Sequence, residues 1–146
     1  EGGDDRALPL PTPHTEGRYD YSFSGLKTAF LNACHKLEQA GRSLPRADYA
    51  ASYQRAIVDS LCDKAMLALA DTGLRTLCLA GGVSANALLR ARMTALARER
   101  GFTLCLPRLE LCTDNAAMIG SAAYYRLRKG ELADLALNAA PTLALV

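Results

Sequence analysis

An α/β fold with a largely parallel sheet and flanking helices is predicted by three features of the sequence. Short apolar runs alternate with longer segments of helical periodicity. The run at 75–80 ends in two glycines and passes straight into a helix start. Small residues crowd the last helical segment, a composition that lets a backbone lie close against a sheet. The 146 residues are half apolar, which suits one domain burying roughly two thirds of its unfolded surface. A net charge of +2 neither announces nor excludes a nucleic-acid partner. No apolar run approaches the roughly 20 residues that cross a bilayer. The acidic start, Glu1-Gly2-Gly3-Asp4-Asp5, resembles neither a signal nor a transit peptide. A cytoplasmic protein whose chain starts at a fragment boundary is the expectation.

Residues 1–18 read as an irregular lead-in, with Pro11, Pro13 and Gly17 and little periodicity. Tyr19-Asp20-Tyr21-Ser22-Phe23 alternates aromatic and polar residues, so a short strand is expected. Ser24 stands where an N-cap belongs; Leu26, Phe30, Ala33 and Leu37 follow at helical spacing, and Gly41 closes the helix. Pro45 opens a second helix in which Tyr49, Tyr53, Ile57, Leu61 and Ala65 recur every fourth residue, with a stop near Gly73. Residues 75–80 form a short apolar run, expected as a buried parallel strand. Ser84 is the expected cap of the next helix, with Leu89, Met93, Leu96 and Ala97 inward and Gly101 at its end. Residues 102–106 are the next strand, closed by Pro107. Thr113 is the expected cap of a last helix bearing Ala116, Ala117, Gly120, Ala122 and Ala123, with Arg126, Arg128 and Lys129 complementing its dipole. The five cysteines include no CxxC, and most lie in apolar stretches, so they read as buried thiols of a reducing cytosol.

Three strand-to-helix junctions can carry chemistry. At Gly81-Gly82-Val83-Ser84-Ala85-Asn86, glycines admit a ligand to the backbone, and the helix start offers free N–H groups and a positive dipole end. Gly81, Gly82, Ser84 and Asn86 are therefore candidate nucleotide-binding residues; a tight turn with an ordinary cap would read the same way. At Cys112-Thr113-Asp114-Asn115, Asp114 either complements a helix dipole or supplies one oxygen to a metal. At Ser24-Gly25-Leu26-Lys27-Thr28, Lys27 lies in a first turn, where an anion or plain exposure would explain it. His14 and His35 read as solvated, and no HExxH, GxSxG or P-loop occurs. Arg90, Arg92, Arg98, Arg100, Arg126, Arg128 and Lys129 read as a solvated basic face able to meet phosphates.

Phe23-Ser24-Gly25-Leu26-Lys27-Thr28, Gly81–Asn86 and Cys112–Ile119 occur together and in order. As a set they closely resemble the TsaD family of tRNA threonylcarbamoyladenosine transferases, from about Ala7 to the C-terminus. The resemblance implies an actin-like (ASKHA, ribonuclease H-like) ATPase fold of two lobes. Residues 19–146 match the C-terminal lobe; the N-terminal lobe, with an HxxxH histidine pair, is absent from this chain. It implies transfer of a threonylcarbamoyl group from threonylcarbamoyl-AMP to the adenosine beside the anticodon of ANN-reading tRNAs, with tRNA and other proteins of that pathway as partners. One iron or zinc ion is implied, held by the two histidines and by the aspartate matching Asp114. The asparagine matching Asn86 contacts the nucleotide-bearing ligand (threonylcarbamoyl-AMP or ATP), and Gly81 and Gly82 line its adenosine side. Two alternatives stand beside this reading: a kinase-like ATPase of the same superfold, and a non-catalytic lobe kept for docking partners.

Overall fold

The computed structural model describes residues 2–12, 15–139 and 142; His14 lies outside them. Among the described residues, four helices and two strands are formed: α1 (Ser24–Gln39), α2 (Arg46–Thr72), β1 (Thr76–Cys78), α3 (Ala87–Arg100), β2 (Thr103–Cys105) and α4 (Ala116–Arg128). Short 3-10 turns, Gly82–Ala85 and Leu109–Leu111, follow the two strands.

The core forms where α2 and α3 cover one face of the sheet. Val58 and Cys62 of α2 meet Leu89 and Met93 of α3, and Leu77, Leu79 and Leu104 close the cluster from the sheet side. Burying a side chain such as Leu89 or Met93 contributes about 1.5–3 kcal/mol. The inward set of α3 matches the sequence expectation at Leu89, Met93 and Leu96. On α2 the buried stripe is shifted from the expected one: Ser52, Val58 and Cys62 are buried, while Tyr53, Ile57 and Leu61 are half-buried. The tyrosines instead serve α1, where the Phe30 ring packs against Tyr53 at 4.6 Å and Tyr49 at 6.2 Å. Buried Ser52 ties down the lead-in: its Oγ accepts from Leu8 N at 3.1 Å and donates to Asp4 O at 3.2 Å.

β1 and β2 pair in parallel, with Leu77 opposite Leu104 and Cys78 opposite Cys105. Parallel pairing was expected; burial on both faces was not formed. Leu77 and Leu104 turn to the helices, whereas Thr76, Cys78, Thr103 and Cys105 are exposed. Of the five thiols, Cys34, Cys62 and Cys112 are buried as expected, but Cys78 and Cys105 are not, because alternate strand residues face opposite sides and only one side is covered.

Three further expectations fail. The strand at 19–23 is absent. Its alternation does place the Tyr21 and Phe23 rings together, stacked at 6.2 Å, but a strand also needs a ladder partner and none lies alongside among the described residues. Side chains fasten the segment instead: Arg18 Nη2 donates to Asp71 Oδ1 at 2.8 Å and Tyr19 OH to Asp71 Oδ2 at 2.8 Å. Ser24 is not a cap but the first helical residue, with Thr28 Oγ1 donating to its carbonyl at 3.0 Å. The last helix does not pack on the sheet: no residue of α4 is buried, and a Cβ added at Gly120 would meet nothing within 4 Å. α2 and α3 cover one face of the two-stranded sheet, and α4 covers neither.

The helix ends follow the sequence. Gly41 and Arg42 close α1 as a Schellman pair, with Gly41 N donating to Glu38 O and Arg42 N to Leu37 O, both at 3.0 Å. Left-handed Gly73 and Gly101 end α2 and α3.

Candidate functional site

β1 runs into Ala80-Gly81-Gly82, where the chain reverses into a 3-10 turn before α3. Gly81 has φ 78° and ψ 173°, a region only glycine occupies readily. The turn is held by Ser84, whose N–H and Oγ both donate to Gly81 O, at 3.0 and 2.6 Å. The N–H groups of Gly82 and Val83 precede this first bonded donor and have no intrahelical acceptor.

The inserted turn changes which residue caps α3. Ser84 lies too early, is 2% exposed and spends its hydroxyl on Gly81. Asn86, with extended φ −62° and ψ 121°, is the cap: its Oδ1 accepts from Leu89 N at 3.0 Å and from Gln54 Nε2 at 3.3 Å. The same displacement occurs before α4. Asn115, not Thr113, is the cap, with Oδ1 accepting from Met118 N at 3.0 Å and Nδ2 donating to Thr113 O at 2.8 Å. In both places an asparagine just after the expected residue has the extended backbone a cap requires.

A cleft of about 500 Å³ opens between these two junctions. Gly81 and Gly82 line one side; Cys112, Thr113 and Asp114 line the other, with Pro107, Leu111 and Met118 completing the wall. The volume suits a small ligand. Asp114 is exposed, and its carboxylate makes no hydrogen bond among the described residues. Three of the candidates, Gly81, Gly82 and Asp114, therefore share one cleft. Asn86 does not join them. It lines a separate cavity of about 320 Å³ with Phe30, Tyr53, Gln54 and Val83. Ser84 is buried beneath the turn that separates the two. No group of three or more His, Cys, Asp or Glu able to hold a metal occurs among the described residues, so Asp114 offers a single oxygen donor. Lys27 and His35 are exposed on α1.

One residue that organises the cleft was read from sequence as part of a solvated basic face. Arg90 is half-buried. Its Nη1 donates to Ser84 O at 2.9 Å and its Nη2 to Pro107 O at 2.8 Å, while Nη1 also approaches Cys112 Sγ at 3.9 Å. The guanidinium thus ties the glycine turn to the segment that carries Asp114. Both strong acceptors are neutral carbonyls, so its positive charge is not cancelled by a carboxylate partner. The sequence signal was its place beside inward-facing Leu89, one step from the buried stripe of α3. The strongly perturbed carboxylate lies elsewhere: Asp71, hydrogen-bonded by Arg18 and Tyr19, is held down to about 2.

A family model described as TsaD, tRNA N6-adenosine threonylcarbamoyltransferase, matches residues 1–121. Among curated proteins, the chain is 50% identical over 143 residues to the tRNA N6-adenosine threonylcarbamoyltransferase of Symbiobacterium thermophilum, covering 98% of this chain and 42% of that protein. It is 45% identical over 144 residues to the protein of the same name from Moorella thermoacetica, again 98% and 42%. With the Clostridioides difficile protein of that name it shares 43% identity over 144 residues, 98% of this chain and 43% of the relative. The chain therefore spans less than half the length of these relatives.

Proposed function

Since the chain belongs to the tRNA N6-adenosine threonylcarbamoyltransferase family, we propose that it supplies one wall of a site that moves a threonylcarbamoyl group onto an adenosine of tRNA. The observation that carries this reading is the cleft in which the Gly81-Gly82 turn faces Asp114. The donor is threonylcarbamoyl-AMP, the acceptor is the exocyclic amine of the adenosine beside the anticodon in ANN-reading tRNAs, and the setting is the cytoplasm. tRNA and other proteins of the same pathway are partners of the whole protein.

The reaction is acyl transfer to a weakly nucleophilic amine, so positioning and charge stabilisation carry most of the catalytic burden. Gly81 and Gly82 let the ligand approach the backbone without meeting a Cβ. The Gly82 and Val83 N–H groups are donors for a phosphate or a developing oxyanion. Arg90 holds this wall against the Asp114 segment and adds a positive charge close to it. Asn86 lies in the separate cavity beside the Phe30 and Tyr53 rings, so it contacts the nucleotide-bearing ligand where that ligand extends past the Ser84 turn. Among the described residues, Asp114 is the one that would ligate a divalent iron or zinc ion, which when bound would polarise the carbamoyl group. An exposed carboxylate with no protein partner fits that role, and a single carboxylate does not complete a metal centre, which usually takes about three protein ligands.

The test is a chimaera in which this chain replaces the matching stretch of the Symbiobacterium thermophilum protein. Transfer to tRNA is expected in the chimaera, with loss of both metal and transfer in Asp114→Ala. An Asp114→Ala chimaera that keeps metal and activity would overturn the assignment. ATP hydrolysis without transfer would favour a kinase-like ATPase. One observation favours a docking role as a second reading: α4 exposes Met118, Ile119, Tyr124, Tyr125 and Leu127. A chimaera that folds and binds partner proteins but neither adenylate nor metal would support it.

A further inference from the structure

The uncovered face of the sheet carries two thiols that play no part in the proposed transfer. Cys78 ends β1, Cys105 ends β2, and the two are register partners in the parallel pair. Leu77 and Leu104 turn toward the helices, so both thiols emerge on the opposite side. Both are exposed, while Cys34, Cys62 and Cys112 are buried. Adjacent strands lie about 4.7–4.9 Å apart, inside the Cα separation of about 4.4–6.8 Å that disulfides span. Proximity to Cys105, more than burial, holds the Cys78 thiol above its ordinary range.

We propose that Cys78 and Cys105 form a reversible redox site, a cross-strand dithiol that a peroxide converts to a disulfide. A thiolate of the pair attacks one peroxide oxygen; an S–O bond forms, the O–O bond breaks, and hydroxide leaves to be protonated to water. The second thiol gives up its proton and attacks the sulfenic sulfur; the S–S bond forms, the S–O bond breaks, and a second water departs. The two thiols lose two electrons in all, and the peroxide is reduced to two waters. Exposure places such a bond among the readily reduced disulfides, so a dithiol reductant restores the thiols. The cross-link falls just before β1 opens into Ala80 and Gly81 and just before β2 reaches Pro107, so it ties together the two strands that feed the cleft. The proposal stands independently of the transferase reading.

The test is titration of the purified 146-residue chain with hydrogen peroxide, followed by alkylation and mass spectrometry without reduction. The expected product lacks two hydrogens, yields one linked Cys78–Cys105 peptide pair, keeps the three buried thiols free, and reverts with dithiothreitol. In Cys105→Ser, Cys78 should stop at a sulfenic acid trapped by dimedone. The pair should close at least tenfold faster in the folded chain than in the chain held in urea. Separate sulfinic acids at the two positions, links only between chains, a link to Cys34, Cys62 or Cys112, or equal rates in urea would each overturn the proposal.

Discussion

Replacing Arg90 tests whether one side chain holds the two walls of the cleft together. The guanidinium makes two strong hydrogen bonds, to Ser84 O at 2.9 Å and Pro107 O at 2.8 Å. Hydrogen bonds from a charged group contribute about 1.5–3 kcal/mol each, so the pair sets an upper range of about 3–6 kcal/mol. Arg90 is only half-buried, and water entering the open cleft can solvate the freed carbonyls. The expected loss in Arg90→Met, which keeps most of the apolar stem, is therefore about 2–4 kcal/mol. Against a typical domain stability of about 5–15 kcal/mol, that is readily measured. Arg90→Lys can reach one carbonyl but not both, and should lose about half as much. The assay is urea unfolding followed by circular dichroism, with the denaturant slope checked for constancy. A second readout is local. Cys112 is 2% exposed, and its Sγ donates to Arg108 O at 3.4 Å beneath the Arg90 guanidinium. Arg90→Met should speed alkylation of Cys112 under native conditions. A variant within about 0.5 kcal/mol of the parent, with Cys112 still protected, would refute the reasoning.

Three further outcomes are expected. Gly81→Ala should cost about 1–3 kcal/mol from backbone strain alone, since its Cβ would stand in open space, whereas Gly82→Ala should leave urea stability nearly unchanged; equal costs would show that the Gly81 conformation is not the cause. Asn86→Ala should cost about 1 kcal/mol of α3 capping and also release Gln54, so its effect on adenylate affinity must be measured by calorimetry at a temperature where the variant is fully folded; unchanged affinity there would remove Asn86 from the ligand site. Asp71 is held near 2 against an ordinary 3.8, so its pairing with Arg18 and Tyr19 stabilises the fold fully above about pH 4 and loses that contribution as pH falls through 3.8 toward 2; Asp71→Asn should show a shallower acid dependence of the urea midpoint, and an identical acid profile would contradict the pairing.

Features set by local chemistry were legible in the sequence, whereas features set by neighbours were not. Gly73 and Gly101 announced the ends of α2 and α3 because a left-handed cap favours glycine wherever the helix goes. Leu89 and Met93 announced the inward face of α3 because helical spacing fixes which residues share a side. The strand at 19–23 failed because alternation specifies side-chain direction but supplies no ladder partner. The caps of α3 and α4 were placed too early because Ser and Thr rank with Asn as capping residues, and the choice rests on where the chain turns extended. Pairing Gly81-Gly82 with Asp114 was inferable, since both follow strands of one parallel sheet. Arg90 was missed because its partners are backbone carbonyls, which leave no signature in the order of side chains.

The two walls of the cleft differ in how firmly they are held. The Gly81 wall is fixed three times over, by the Ser84 turn, by Asn86 capping a helix packed in the core, and by Arg90. The opposite wall is fixed as far as Cys112, which is buried beneath Arg90. Beyond it, among the described residues, Asp114 and α4 are held only by local bonds: Asn115 caps the helix and donates to Thr113. None of these reaches the core, and no residue of α4 is buried. A ligand donor whose position follows a loosely attached helix loses entropy on binding, which weakens a carboxylate already competing with water. Asp114 can therefore act as a tight metal ligand only when something seats the apolar surface of α4, so that packing on Ile119 and Tyr125 fixes the carboxylate against the Gly81 wall. Metal affinity at Asp114 should then depend on α4 substitutions that touch neither metal nor cleft. In the chimaera, Ile119→Asp should lower metal content while leaving the Arg90 and Ser84 contacts intact, and unaltered metal content would show that the Asp114 side is rigid without that support.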